Sequence, residues 1–341
     1  MLYTDKPESF WTCAKNQNEW DIVDIILLIM EWIGLIPGFI LMILLGKLDG
    51  KTRTSLLMLR TMTICTFMQL LINFLNNIYP YPINTASTEF NLFICGLWSS
   101  RFLYLTFAII GVHAFVYFST NRTMQIVENL QFSFASSRNI DLVYIAGFTV
   151  YSMVITVPQT LTLNYGKSSC SCEEELMNFT FLQLVYARIY IFFFQVFILN
   201  FIGLAICCGL IINWVKRTPK EKFYDTLNAL SFPNTPEAEL KAYDRVKGWS
   251  TSSMCIVPLT CTFFFAFSYD SIYQFISVIG VTKYNYSGMS QKVSQLFLLI
   301  HPVALPYILF YYIPALRFWV VRRWHQLRGR RQVPDFPKNG K

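Results

Sequence analysis

Nine cysteines and three histidines are the side chains of this sequence best suited to metal binding, nucleophilic catalysis or disulfide formation. A structural zinc site needs about four Cys or His ligands, and Cys170 and Cys172 have no second pair within reach. His113 and His301 stand without paired acids, a serine elbow or His-x-x-x-His spacing. The sequence therefore predicts no metal centre and no enzyme, and both histidines are expected to be packed and hydrogen-bonded.

Three cations lie in otherwise apolar stretches: Arg101, Arg188 and Lys292. A charge within a membrane boundary is costly unless it faces protein or water, so each is a candidate for binding an anionic ligand or a ligand carboxylate. The alternative is that the cations snorkel or pair with acids in or near the same stretches. These acids are Asp24, Glu31 and Asp270. The residue types leave pairing and ligand binding open.

The elements that must position these side chains are membrane helices. The chain has 341 residues, of which 54% are hydrophobic and only 14% charged, whereas a soluble domain has about 25% charged residues. A window of about 20 residues, the length that crosses the hydrocarbon core, finds seven candidate spans in succession. We place them at roughly 22–46, 56–79, 97–119, 140–163, 184–214, 249–277 and 291–313.

The predicted fold is all-α, a seven-transmembrane helix bundle over 22–313 between an amino-terminal segment at 1–21 and a tail at 314–341. No cleavable signal peptide is expected, because the first 21 residues lack a basic start followed by a short apolar core. The basic and aromatic stretch 317–331 predicts a short amphipathic interfacial helix on anionic membrane lipids, with no nucleic-acid partner. Its lipid-facing side chains are expected to be Phe318, Val321 and Trp324.

Lys and Arg set the expected orientation, because basic residues near the spans stay in the cytoplasm. Of the 28 in the chain, 20 fall in four segments, whereas the amino-terminal segment and the alternate connections hold 4. The four basic segments are 47–55, 120–139, 215–248 and 314–341. The amino terminus is therefore predicted outside and the carboxy terminus inside.

Three N-x-[ST] glycosylation sequons begin at Asn121, Asn178 and Asn285. A glycan is added only in the secretory lumen, and the predicted orientation puts Asn121 in the cytoplasm. Asn178 and Asn285 fall outside and remain glycosylation candidates.

Four cysteines are predicted on the outer side, where disulfides persist. A bridge from Cys95 to Cys170 or Cys172 would tie the loop after the fourth span to the bundle, and Cys13 could take the leftover partner. Four cysteines allow three pairings, and the sequence leaves them open. The five cysteines within the spans are expected to be small apolar packing residues.

Seven spans, an outside amino terminus and a cysteine before the third span resemble the rhodopsin-like (class A) G-protein-coupled receptors. Asn121 and Arg122 resemble the acidic-Arg-Tyr motif at the cytoplasmic end of the third helix in that family. The resemblance implies that Arg122 restrains the inactive state and then faces a heterotrimeric G protein. The stretch 215–248 is expected to extend helices five and six inward, and its Glu239 is the candidate inactive-state partner of Arg122.

Two further motifs support this resemblance. Cys255 and Pro258 resemble the Cys-Trp-x-Pro signature of the sixth helix, and Pro306 resembles the proline of Asn-Pro-x-x-Tyr in the seventh. They imply a hinge at Pro258, about which the cytoplasmic half of helix six moves outward. The polar residues that bind sodium in many relatives are replaced by apolar ones such as Leu305, so activation is not expected to run through a sodium site.

The resemblance also argues against two ligand classes. Tyr104 occupies the position of the aspartate that binds biogenic amines, and Leu299 that of the lysine that holds retinal. No cofactor is expected, and the extracellular ligand stays unidentified. The ligand-pocket candidates are Arg101, Tyr104, Arg188, Asp270 and Lys292.

The expected function is that of an orphan receptor or chemoreceptor of the plasma membrane, similar to those expanded in invertebrates including worms. Two alternatives remain. One is a receptor fold that no longer couples and acts as a scaffold or decoy. The other is a membrane transporter or channel, which predicts discontinuous helices, midplane charges and internal symmetry, and the sequence offers little of these.

Overall fold

The computed structural model describes residues 10–13, 21–50, 53–79, 85–127, 138–166, 169–172, 179–219, 221, 223–286 and 288–328. Seven of its helical segments are long and apolar enough to cross a membrane. Spans 1 to 7 are Ile22–Lys47, Arg53–Ile78, Thr88–Ile126, Ile140–Thr162, Thr180–Arg217, Ser252–Val278 and Met289–Tyr312. The predicted seven-helix bundle is confirmed.

Span 3 lies at the centre of the bundle. It packs along span 2 and also contacts spans 4 and 5, while span 7 packs against spans 1, 2 and 6. Large aromatic side chains such as Phe115, Phe118 and Phe263 are fully buried between them. The exposed side chains of span 1 are mostly isoleucines, as expected of a surface in contact with lipid.

Two spans contain irregular helix. Span 3 consists of the helix Thr88–Ile94, the π-helical turn Cys95–Ser99 and the helix Phe102–Val127. Arg101, at the junction, has a left-handed backbone with φ of 63°, which is uncommon for a residue with a side chain. Span 5 likewise contains a π-helical stretch, Phe192–Leu199. Such interruptions are frequent at functional sites.

One end of the bundle, here called the disulfide end, is covered by two small sheets. Strand β1 (Trp11–Cys13) pairs in parallel with β4 (Tyr284–Tyr286). Strands β2 (Leu163–Gly166) and β3 (Ser169–Cys172) form an antiparallel hairpin after span 4. These strands cover the entrance between the helices.

Two disulfides fasten this cover. Cys95 pairs with Cys170, and Cys13 pairs with Cys172. The two cysteines of β3 are two residues apart, so they point to the same face of the strand. The structure therefore decides between the pairings that the sequence left open.

The opposite end, here called the basic end, is closed by the loop between spans 5 and 6. Ser231 forms an isolated bridge with Asp49 in the connection between spans 1 and 2. The loop also contains the short helix Glu237–Asp244. The loop folds back over the spans, so the expected inward extension of helix six is wrong.

The sixth span also corrects the predicted hinge at Cys255 and Pro258. Its α-helix is Ile256–Val278, preceded by the 3₁₀ turn Ser252–Cys255. Proline is tolerated in the first turn of a helix, where the missing N–H has no carbonyl to bind in any case. Within the described residues Pro258 has no long helical arm toward the basic end that could swing, whereas Pro306 does lie inside its helix.

The predicted interfacial helix is present as Pro314–Leu327. Trp324 is exposed, but the ring of Phe318 stacks on Tyr243 of the loop helix at 5.3 Å between centroids. The expected direction of Phe318 toward lipid is therefore wrong, because the folded loop provides an aromatic partner.

Candidate functional site

Buried polar side chains gather at both ends of the bundle. We call them the basic-end cluster and the disulfide-end cluster. The basic-end cluster consists of Arg122, Gln125, Asp225, Thr226, Asn228, Thr251, Ser252 and Ser253. The disulfide-end cluster consists of Glu31, Arg101, Tyr104, Arg188, Asp270, Tyr284, Tyr286 and Ser294.

Arg122 is the centre of the basic-end cluster, with only 1% of its surface exposed. Its Nη2 donates to Asp225 Oδ1 at 2.6 Å and its Nη1 donates to Thr226 Oγ1 at 2.8 Å. Nη1 also donates to Gln125 Oε1 at 2.7 Å, and Nη2 to Ser253 Oγ at 3.1 Å. The guanidinium thus connects span 3, the loop after span 5 and the start of span 6.

Asp225 is held as fully as the arginine. Its Oδ2 accepts from Thr251 Oγ1 at 2.6 Å and from the backbone N–H of Ser253 at 2.9 Å. Its Oδ1 accepts from the backbone N–H of Leu227 at 3.0 Å, in addition to Arg122. A buried ion pair is tolerated when its remaining donors and acceptors are satisfied in this way.

Asn228 fastens the same loop at a second point. Its Nδ2 donates to the carbonyl of Val246 at 2.8 Å. Its Oδ1 accepts from Ser252 Oγ at 2.7 Å and from the Ser252 N–H at 2.9 Å. Asp225 and Asn228 thus bind the hydroxyls and backbone N–H groups at the start of span 6, so one network positions both the loop and span 6.

The predicted partner of Arg122 is therefore wrong: Glu239 forms an ion pair with Arg322 of the interfacial helix. Glu239 also accepts from the hydroxyl of Tyr243 at 2.6 Å. Burial of Tyr243, and then this hydrogen bond, raise the pKa of the phenol. Asn121 donates to Ser55 Oγ on span 2 at 3.2 Å and bonds Gln125 at 3.3 Å.

The acids of the disulfide-end cluster accept hydrogen bonds from neutral donors, although the Oε2 of the buried Glu31 accepts none within the described residues. Asp270 accepts from Gln274 Nε2 at 2.8 Å, Ser294 Oγ at 2.5 Å and the Tyr284 hydroxyl at 3.4 Å. Glu31 Oε1 accepts from the amides of Asn73 at 2.5 Å and Asn77 at 2.6 Å, on span 2. These acids therefore use amides, a hydroxyl and a phenol as partners.

Lys292 does pair with acids, as the alternative interpretation expected. Its Nζ lies 2.8 Å from Asp21 Oδ2 and 2.6 Å from Asp24 Oδ2. Asp21 and Asp24 also cap the start of span 1 through reciprocal side-chain to backbone hydrogen bonds. Lys292 thus holds span 7 to span 1, and its charge is balanced.

This pairing predicts a pH dependence of stability. The hydrogen bond from Lys292 lowers the pKa of Asp21, so its stabilisation is fully present above the unfolded pKa of about 3.9 and disappears as pH falls through the lower folded pKa. Compared with Lys292→Met, the wild type should unfold at a higher temperature at pH 7. Because the pair is partly exposed, its contribution should stay below about 1 kcal/mol. An advantage that persists unchanged below pH 3 would contradict the assignment.

Arg101 and Arg188 differ from Lys292, because the described part of the chain offers neither a carboxylate within ion-pair distance. Arg188 is 3% exposed, and its Nε and Nη1 make no hydrogen bond there. Tyr284 lies in the electrostatic neighbourhood of both arginines, and Tyr286 lies beside Arg188. The structure thus brings two pocket candidates from spans 3 and 5 to one tyrosine.

The remaining predicted residues have definite places. Tyr104 is buried, and its hydroxyl and the Nε2 of the buried Gln69 lack a hydrogen bond within the described residues. His113 bonds the Ile109 carbonyl at 2.8 Å, and His301 bonds Thr262 at 3.0 Å, which confirms the expected packed histidines.

The glycosylation candidates are placed only in part. Asn285 lies half-buried in β4, opposite Thr12 of β1. Asn178 lies outside the described residues. Glycosylation at both positions stays a prediction.

Sequence reasoning missed Asp225, Tyr284 and Tyr286. Asp225 looks like one more charge in a loop rich in charges, and only the fold buries it. The tyrosines belong to a short connection whose pairing with β1 has no signal in hydropathy. The sequence matches no protein-family model and no curated protein.

Proposed function

We propose that the protein is a receptor of the plasma membrane, in which a ligand at the disulfide end controls a G-protein site at the basic end. The observation that carries this proposal is the buried pair of Arg122 and Asp225. It puts an arginine, at the position expected from the receptor resemblance, under a loop that closes the basic end. Disulfides at one end and Lys and Arg near the other support an outside amino terminus.

In this proposal the described structure is the inactive state. Arg122 is unable to reach a cytoplasmic partner while Asp225, Thr226 and Ser253 surround it. The active state requires the loop to leave, so that Arg122 becomes hydrated and accessible. A ligand activates by binding more tightly to the bundle in the open state, which shifts an equilibrium that exists without it.

The moving part differs from the one expected from the sequence. Span 6 starts at Ser252, level with Arg122, so there is no long cytoplasmic arm to swing about Pro258. Asp225 and Asn228 tie the loop to the first residues of span 6. A small shift of span 6 would therefore break the loop contacts, which makes the loop the element that opens.

The test compares Asp225→Asn with the wild type and with Asp244→Asn, which removes an exposed charge from the same loop. Asparagine leaves the charge of Arg122 unbalanced while buried, so the open state, in which Arg122 is hydrated, should gain population. We expect Asp225→Asn to raise basal nucleotide exchange on at least one member of a panel of purified Gα proteins by about tenfold or more. The Asp244→Asn variant should behave as the wild type.

Arg122→Gln added to Asp225→Asn should return nucleotide exchange to background, because the open face would then lack its cation. If Asp225→Asn stays at the wild-type level with every Gα although its loop opens, the coupling proposal fails. A scaffold, decoy or transporter would then account better for the buried pair as a structural lock.

A further inference from the structure

Arg188 is a buried cation that the described residues leave without a counter-ion. Its side chain projects from span 5 with 3% exposure, and Nε and Nη1 make no hydrogen bond. An unpaired charge away from water costs several kcal/mol, and an unmade charged hydrogen bond adds to this. Two nitrogen atoms of this buried guanidinium thus have no acceptor among the described residues, which makes Arg188 a candidate for binding an anionic ligand.

Arg101 provides a second cation, which acts electrostatically on the same Tyr284 as Arg188. Its left-handed backbone, with φ of 63°, lies between the π-helical turn and the long helix of span 3. The side chain of Arg101 is partly accessible, and this side chain makes no hydrogen bond or ion pair within the described residues. Strain of this kind persists when the surrounding structure imposes it, often at ligand sites.

The nearby acids are not counter-ions in contact with these arginines. Glu31 and Asp270 attract Arg101 electrostatically, but no ion pair within 4 Å joins them in the described chain. Asp270 and the Oε1 of Glu31 instead accept from neutral donors, whereas the Oε2 of Glu31 has no hydrogen bond within the described residues. Asp21 and Asp24 are paired with Lys292. The acids of this end thus form no ion pair with Arg101 or Arg188 within the described residues, and Nε and Nη1 of Arg188 have no acceptor there.

Two phenols lie near these arginines. Tyr284 is shared by Arg101 and Arg188, and Tyr286 lies beside Arg188. Burial raises the pKa of Tyr284 and of Tyr286, so both phenols stay protonated. The Tyr284 hydroxyl already donates to Asp270, so Tyr286 is the phenol that can donate to a ligand. Arginine donates two parallel bonds to the planar oxygens of a carboxylate, a geometry that suits a carboxylate better than a spherical anion.

The walls around these donors are apolar and aromatic. Trp11 packs edge-on against Tyr286, and the ring of Tyr273 packs at a tilt against Tyr284. Leu182 and Val185 of span 5 are buried in the same group. An occupant should therefore combine an anionic head with an apolar or aromatic body.

We propose that Arg188 and Arg101 bind the carboxylate of a small organic acid, with its apolar body between β1, β4 and span 5. This inference deepens the proposed function, because it makes the acid the activating ligand of the proposed receptor. Only that role of the acid rests on the proposed function. Binding itself is independent of coupling, so the two can fail separately.

The experiment measures thermal unfolding of the full chain in lipid nanodiscs with increasing phenylacetate or hexanoate at constant ionic strength. Each acid is compared with its neutral amide, phenylacetamide or hexanamide, and with sulfate. A ligand that binds only the folded state raises the unfolding temperature with concentration. We expect the acids to raise it and the amides to have no comparable effect.

Arg188→Gln should weaken the apparent affinity for the acids by at least about tenfold, because a charged hydrogen bond is lost. Arg101→Gln gives a second test if Arg188→Gln fails to fold. Lys292→Gln is the matched control, a cation at the same end that is already paired, and it should keep the affinity within about twofold.

Equal shifts by acids and amides, equal affinities in Arg188→Gln and the wild type, or no shift by either acid would overturn the proposal. A similar response to sulfate would replace the carboxylate with a general anion site. None of these results would affect the coupling proposal, which depends on Asp225→Asn.

Discussion

Replacing Arg122 with methionine should release the loop at the basic end. The change leaves Asp225 buried without its cation, and breaking one side of a buried ion pair costs about 3 to 5 kcal/mol. The loop can avoid this cost by undocking, which hydrates Asp225, so the loss should appear as local opening and not as unfolding of the bundle. Amide hydrogen exchange in 223–231 should accelerate by at least about a hundredfold.

The double variant Arg122→Met/Asp225→Leu distinguishes a lost ion pair from lost packing. Replacing both partners of a buried pair with apolar side chains is often neutral or stabilising. The double variant should therefore recover most of the protection of 223–231, including the Ser231 amide that donates to Asp49 at 3.0 Å. Protection that stays low in the double variant would show that Thr226 and Ser253 contribute more than the charge pair.

The ion pair between Arg122 and Asp225 also affects the design of functional tests. Arg122→Ala on its own opens the loop and removes the cation that an open loop would present. A loss of signal in that variant is therefore ambiguous. Adding the Arg122 change to Asp225→Asn, where the loop is already released, removes the ambiguity.

Removal of the disulfide between Cys95 and Cys170 should have the second large effect. The bridge joins residues 75 apart in the sequence, and the chain-entropy model assigns about 4 kcal/mol to a loop of this length. Cys95→Ser/Cys170→Ser, which leaves no odd thiol, should unfold at a temperature several degrees lower.

The control for this prediction is Cys261→Ser, since Cys261 is free and exposed in span 6. Its unfolding temperature should match that of the wild type. If the double serine variant also matched the wild type, the β2–β3 hairpin would have to be held by its other contacts. Reduction of the wild type with a thiol breaks both disulfides, so it should lower the unfolding temperature at least as much as the double variant does.

The seven spans were predictable because hydropathy over about 20 residues reports directly on what lipid requires of a helix. The ends of spans 3 and 6 were less predictable. Span 3 begins at Thr88, earlier than expected, because a π-helical turn carries the helix past Cys95. Span 6 begins at Ser252, where Asp225 and Asn228 bind its first residues. Both ends depend on contacts distant in sequence.

The residues of the candidate sites were likewise only partly predictable from the sequence. The free-energy cost of a charge within a membrane is enough to identify Arg101, Arg188 and Lys292 as residues that need a partner. It had no means of assigning Asp21 to Lys292, because that pair joins residues 271 apart in the sequence. The sequence predicts Glu239 as the partner of Arg122, whereas the partner is Asp225, because several acids of this loop look alike in the sequence. Only the fold shows which of them is buried.

The parallel pairing of β1 with β4 also sets an order for making the protein. Residues Trp11–Cys13 precede span 1, yet their strand partner Tyr284–Tyr286 follows span 6, so β1 has no strand to pair with until these six spans have been synthesised. The disulfide partner of Cys13 is Cys172, which precedes span 5, so this bridge can form first and hold β1 near the place that β4 later takes. Both disulfides of this end can thus close before the sheet of β1 and β4 exists.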